Sequence, residues 1–285
     1  MNDPSDVSAR RARFAEVVRT EPVDLAEACL LMGAEEDREV DTGIGRAELD
    51  RLAHAVAAKL TGPAEETDPA QAAAVLALVL GARAGFGGAQ ADYADLRSSL
   101  LHHVLRRRRG LPILLSVVWM EVGRRAGIHV YGVALPGHFV VGIGDPDGDF
   151  VLADPFQGGR LLTVDDARTI ALGAGGSPDD PHLLLPAQPT AVLLRILNNI
   201  RAWAQNPHQA PERAWTRLWA VELSLLLPRH PAVLRRERGT LLVLTGDFAG
   251  GAAELEEFAD LVGAIDGELA ETVRREAREA RSRLN

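Results

Sequence analysis

The sequence predicts an α+β fold: one buried helix followed by a small antiparallel sheet, with helical regions before and after. Three observations predict it. The segment Ile113 to Val122 is apolar on nearly every side, the mark of a helix sunk inside a domain. Directly after it the apolar period changes to two in HVYGVAL, HFVVGIG and DFVLADPF. The chain before the glycines at 85–88 and after Pro189 carries only helical patterns.

Taken in order, Phe14, Val17 and Val18, then Leu25, Ala28, Cys29 and Met32, then Leu49, Leu52, Ala53 and Val56 recur at three- and four-residue steps. They predict helices from Ser8 to about Leu60, with Asp24 as an N-cap and the acidic run Glu35 to Asp41 as a solvated loop. A further helix over roughly Pro69 to Ala82 precedes AGFGGAQADYADL. Gly85, Gly87 and Gly88 there lack a lysine or hydroxyl partner in Walker spacing and a preceding strand, so they read as a connector. Asp92 to Arg107 reads as an amphipathic helix with Tyr93, Leu96, Leu100, Leu101, Val104 and Leu105 inward. His102 and His103 in its middle lack a third ligand at metal spacing.

Gly110 stops that helix, and Pro112 starts the buried one, since proline suits a position whose amide needs no partner. Arg124, Arg125 and Gly127 close it. The turn GDPDGD joins the second and third strands as a hairpin, and GRLLTVDDA supplies a fourth strand and an Asp-capped turn. Ala171 to His182 is a loop by composition. From Pro189 onward the helices alternate with short breaks in a rhythm close to a helix-turn-helix repeat of ~34 residues, and two degenerate repeats fit. The organisation expected is an N-terminal helical region, 1–84, packed on a core, 85–175, with a helical tail, 186–285.

An apolar share of 47% in 285 residues fills a real core. The net charge of −9 is spread over a mixed surface, so neither nucleic acid nor an anionic membrane is an expected partner. Arg106 to Arg109 are the exception, and they complement the negative end of the predicted helix more simply than they make a phosphate site. Lys59 is the only lysine among 31 basic residues, a bias of GC-rich bacterial genomes. Cys29 as sole cysteine excludes an internal disulfide and fits a reducing compartment. Its place on an apolar helix face reads as a structural thiol. No apolar h-region opens the chain, and no run approaches the ~18 apolar residues of a membrane span. The expectation is a cytoplasmic protein without a cofactor.

The candidate chemistry lies on the hairpin. His138 and Asp154 are sixteen residues apart with residue 146, inside the turn, midway between them. Directly opposed residues of a hairpin have Cβ atoms roughly 5 Å apart, so an imidazole and a carboxylate there share a hydrogen bond. Such a bond orients the ring and stabilises its protonated form, as the acid does in a nucleophile-His-Asp triad. Taken singly, the two residues are better explained as a core histidine and a turn-capping aspartate; taken together on one hairpin, the structural and the catalytic readings are even. The nucleophile belongs in the first turn of the buried helix, where the dipole lowers a thiol's pKa. That turn is Pro112, Ile113, Leu114 and Leu115. Ser116, one turn beyond Pro112, is the nearest hydroxyl, and it needs His138 within hydrogen-bond reach to act.

At these residues the chain resembles the SirB-like family, a branch of the papain/transglutaminase-like fold joined to a helical tail of tetratricopeptide (TPR) type. The stretches RRRRGLPILLSVVWMEVGRRAGIHVYGVALPGHFVVGIG, VLADPFQGGRLLT, LLRILNNIRAWA and RRERGTLLVLTGDFAGGAAELEEF carry the resemblance, with DLAEACLLM and the segment from GFGG to DY. It implies that His138 and Asp154 take the family's histidine and aspartate positions. Active enzymes of the fold open the core helix with a cysteine, near Pro112 or Ile113 here, and this chain has none there. It also departs from the pattern at Ser98, where the family tends to have asparagine.

Two functions follow as expectations. The favoured one is a non-catalytic transglutaminase-like protein, a pseudoenzyme acting in regulation through a protein or peptide partner held by the tail, because stacked helical repeats give extended concave surfaces. The alternative is a hydrolase or amide-transfer enzyme using His138 and Asp154 with Ser116 or an activated water. A metal site at His138 and Asp154 ranks below both for want of neighbouring ligands.

Overall fold

The computed structural model describes residues 4–205 and 212–283. The chain forms two compact units, one of residues 22–196 and one of the chain before 22 with the chain after 196. Residues 22–84 fall in the same unit as the core. The first helix, α1 (Pro4–Val17), groups with the tail helices, where Arg11 donates to Glu222 at 2.6 Å.

In the larger unit, α2 (Leu25–Glu36) starts at Asp24, whose carboxylate accepts the Glu27 amide as expected of an N-cap. Next come α3 (Thr42–Ala57) and α4 (Pro69–Leu76), the latter opened by Asp68 and a proline in its first turn. The predicted helix to Ala82 continues as a π-helical stretch, Ala77–Arg83. There Gly81 lies so close to the Gly158 backbone that a Cβ would fall 2.0 Å from its carbonyl oxygen.

The helix expected over Asp92 to Arg107 is shorter. Two 3-10 turns, Gln90–Ala94 and Leu96–Ser99, precede α5 (Leu101–Arg107). Asp92 accepts the Ala89 amide and Asp95 accepts the Arg97 amide. Aspartates that capture nearby backbone amides favour turns over a continuing helix. Tyr93 therefore turns outward, 45% exposed, although Leu96, Leu100, Leu101, Val104 and Leu105 are buried as expected.

The four arginines that follow are held by side chains. Arg106 meets His103, Arg107 meets Asp95, Arg108 meets Glu48 and Arg109 meets Asp92. Hydrogen bonds from Arg51 and then Arg108 outweigh burial and hold the Glu48 carboxyl at about 2. An ordinary unfolded glutamate titrates near about 4.3. A depressed folded value contributes stability that is present above the unfolded value and lost as pH falls toward the folded one. Glu48→Gln is expected to cost about 1 kcal/mol at neutral pH. Its gap from wild type should close between about pH 5 and pH 2 in urea unfolding run across pH. A gap independent of pH would contradict the pairing.

The core helix α6 (Pro112–Arg125) is buried along almost its whole length, including Trp119. Behind Gly127, in left-handed backbone at φ 79°, the chain enters an antiparallel sheet. Its strands are β1 (Val130–Val133), β2 (Val140–Gly144), β3 (Phe150–Asp154) and β4 (Arg160–Leu162), in that spatial order. Thr163 and Asp166 then form a reciprocal cap, and the segment read as a turn is a helix, α7 (Val164–Gly173). It covers one sheet face through Ala167 and Ala171, packed with Tyr131, Val133 and Leu152.

Helix α8 (Pro189–Trp203) runs from the larger unit into the smaller. The smaller unit adds α9 (Glu212–Leu226), α10 (Val233–Leu244), α11 (Phe248–Val262) and α12 (Gly267–Ser282). Consecutive helices pair closely: a Cβ on Gly251 of α11 would meet the Gly239 carbonyl of α10 at 2.7 Å. Arginine–carboxylate contacts tie the helices across, Arg217 to Glu237, Arg238 to Glu222 and Glu254, and Arg236 to Glu276.

Candidate functional site

The site forms where the ends of β2 and β3 approach the start of α6. The loop between these strands closes with the Asp145 amide donating to the Asp149 carbonyl, and Gly144 faces Phe150. The hairpin is thus centred on residue 147, one position beyond the centre expected, with Val141 opposite Ala153. Continued outward, that register sets Val140 against Asp154 and His138 against Phe156. His138 and Asp154 are therefore diagonal neighbours, which long side chains still span.

His138 Nε2 and Asp154 Oδ2 are 2.9 Å apart. The carboxylate is fully buried, and the imidazole is 14% exposed. Asp154 Oδ1 accepts the Phe156 amide at 2.9 Å, so this aspartate both orients the histidine and caps the turn Pro155–Gln157. The two readings of Asp154 that the sequence left open are both realised by its two oxygens. With Nε2 donating to the carboxylate, Nδ1 is the ring nitrogen left to accept a proton.

Ser116 is not brought to that nitrogen. Its hydroxyl is fully buried and donates to the Phe139 carbonyl at 3.4 Å, joining α6 to the start of β2. Cys29 is buried in α2, where burial first, then the carboxylates of Glu121 and Asp24, push its thiol pKa far up. A thiol that resists ionisation is a poor nucleophile. The first turn of α6, Pro112 to Leu115, is buried and carries no nucleophile.

The glycine-rich connector forms a neighbouring wall. The Gly88 amide donates to the Phe156 carbonyl at 2.9 Å, and a Cβ on Gly88 would strike the Phe156 ring at 1.9 Å. That contact, rather than phosphate binding, accounts for glycine there. Asp92, 3% exposed, holds the connector by accepting the Ala89 amide, the Ser98 hydroxyl and Arg109. The Phe156 ring stands edge-on to His138 at 6.0 Å and to Tyr93 at 6.1 Å.

Three residues of this site are not singled out as site residues by the sequence: Tyr93, Phe156 and Arg195. Arg195 of α8 donates through Nη2 to the carbonyls of Leu135 and His138, at 3.0 and 2.8 Å, and so holds the loop that presents the histidine. A charged residue between the buried Leu193 and Ile196 is the one trace of it in the sequence. His102 and His103 stack at 4.1 Å, and burial lowers the His102 pKa to about 4. Among the described residues no group of three or more His, Cys, Asp or Glu side chains is placed to hold a metal. No helix of the described residues is long and apolar enough to cross a membrane.

Comparison with known proteins gives these features a context. The sequence profile of the transglutaminase-like superfamily matches residues 45–198, a span that includes α6, the sheet, His138 and Asp154. A UPF0162 protein of Xylella fastidiosa strain Temecula1 is 34% identical over 254 residues, covering 86% of each chain. A UPF0162 protein of Pseudomonas aeruginosa is 34% identical over 195 residues, 67% of this chain and 68% of its own. F-box only protein 21 of Mus musculus is 33% identical over 86 residues, 28% of this chain and 14% of its own. No solved structure matches this chain.

Proposed function

This chain belongs to the transglutaminase-like superfamily and to the UPF0162 family, and from that premise we propose a module of this fold that performs no nucleophilic catalysis and acts by binding. One observation carries the reading. Where the fold's nucleophile belongs, α6 begins with Pro112, and the nearest hydroxyl, Ser116, is buried on a backbone carbonyl. A triad without its nucleophile loses several orders of magnitude in rate. In this reading the chain is a SirB-like pseudoenzyme acting in regulation in the cytoplasm, and its tail of TPR type holds a protein or peptide. The smaller unit supports that role with a groove of about 500 Å³ lined by Val233, Leu241, Leu244 and Leu255.

A second reading rests on the His138–Asp154 contact, which has the form of a general base able to activate water through Nδ1. Serine- and cysteine-reactive probes on the folded full-length chain, followed by intact mass, separate the two. We expect no adduct at Ser116 and no difference between wild type and Ser116→Ala. Turnover of an ester or amide panel that disappears in His138→Ala would replace the binding reading with the hydrolytic one.

A further inference from the structure

Most half-buried arginines elsewhere in this chain face carboxylates, as Arg107 faces Asp95, Arg125 faces Asp50, Arg217 faces Glu237 and Arg238 faces Glu254, whereas Arg213 is held on the Trp203 carbonyl and ring. Among the described residues Arg195 faces no carboxylate. Its Nη2 is used on the Leu135 and His138 carbonyls, and its guanidinium lies 5.5 Å over the Phe139 ring. Nε and Nη1 take part in none of these hydrogen bonds. Burial, the main influence, pushes the Arg195 pKa down, which is the response of a cation that has lost water without gaining an anion.

Near it stands one further polar group without an acceptor. The Tyr93 phenol is 45% exposed and hydrogen-bonded to nothing among the described residues. Through Phe156 it borders the ring of His138, the residue whose carbonyl Arg195 holds. Asp154, the carboxylate beside His138, is buried with one oxygen on His138 and the other on the Phe156 amide. It thus offers Arg195 no ion pair, while its charge opposes a dianion.

We propose that Arg195 and Tyr93 form a carboxylate-binding subsite beside His138. With Nη2 engaged, Nε–H and Nη1–H remain to donate singly to a carboxylate oxygen, a phenol adds one further donor, and a single cation suits a monoanion better than a phosphate. The carboxylate comes either from a peptide's C-terminus or from an acidic side chain. The subsite goes beyond the binding function proposed above and requires no chemistry at His138. A covalent adduct would refute the proposed function and leave the subsite standing, and a lack of carboxylate binding would do the reverse.

The test uses the isotope-labelled full-length chain and three probes: acetyl-trialanine with a free C-terminus, its amide, and acetyl-Ala-Glu-Ala amide. NMR signals of the Arg195 Nε–H and the His138 ring are followed to about 20 mM, enough to see millimolar affinity. Saturable shifts are expected with at least one carboxylate probe and not with the amide. Response to the free terminus alone identifies a chain end as the source, and response to the glutamate peptide alone identifies a side chain. Arg195→Gln should weaken binding at least about tenfold and Arg195→Lys by less, since lysine keeps the charge. No shift with either carboxylate, an equal shift with the amide, or unchanged affinity in folded Arg195→Gln would overturn the proposal. Should that variant fail to fold, the contrast of acid and amide on wild type decides.

Discussion

Asp154→Ala is expected to lower folding stability by about 3 kcal/mol, measured by urea unfolding at neutral pH. The carboxylate is fully buried, and its removal strands two donors at once, the His138 ring nitrogen and the Phe156 amide. Buried donors left without acceptors account for most of that cost. Asp154→Asn should cost less, because a side-chain carbonyl still accepts the Phe156 amide. Its NH₂ group then faces His138 Nε2 and drives the ring to the opposite tautomer, which ¹⁵N spectra of the imidazole would reveal. A loss below about 1 kcal/mol in Asp154→Ala would mean that the turn after β3 holds without this aspartate.

Gly81→Ala should be of similar size, about 3 kcal/mol, for a different reason. The new Cβ would fall 2.0 Å from the Gly158 carbonyl oxygen and 2.9 Å from its carbon. Both partners are backbone, so no rotamer change relieves the clash. Gly158, at φ 66°, closes the turn that Asp154 opens, and moving it moves the site. The variant is therefore expected to shift the His138 ring resonances as well as the unfolding midpoint. Gly62→Ala, with nothing within 4 Å of its Cβ, is the control and should stay within about 0.5 kcal/mol of wild type. Equal midpoints for the two variants would refute the close packing of the π-helical stretch on this turn.

Much of the candidate site was legible because its signals are local. Apolar period alone marks α6 and the strands, and a histidine and an aspartate flanking one hairpin turn are near each other in almost any register. The register itself was less legible, since a loop closed between Asp145 and Asp149 shifts the centre by one residue and turns an opposed pair into a diagonal one. Asp92 to Arg107 was misread for a related reason. Its apolar spacing is helical, yet Asp92 and Asp95 spend their side chains on backbone amides and leave Tyr93 at the surface.

By itself the sequence determined the α+β class, the buried helix, the chain positions of the strands and the lack of a nucleophile at Pro112, because each follows from residue type at a fixed chain position. Only the tertiary structure decided that Ser116 faces the Phe139 carbonyl, that Asp154 serves two donors, and that Arg195 of α8 grips the carbonyls around His138. Those three outcomes depend on which segments distant in the chain come to lie against one another. A side chain's partner is set by that packing, and no local period encodes it.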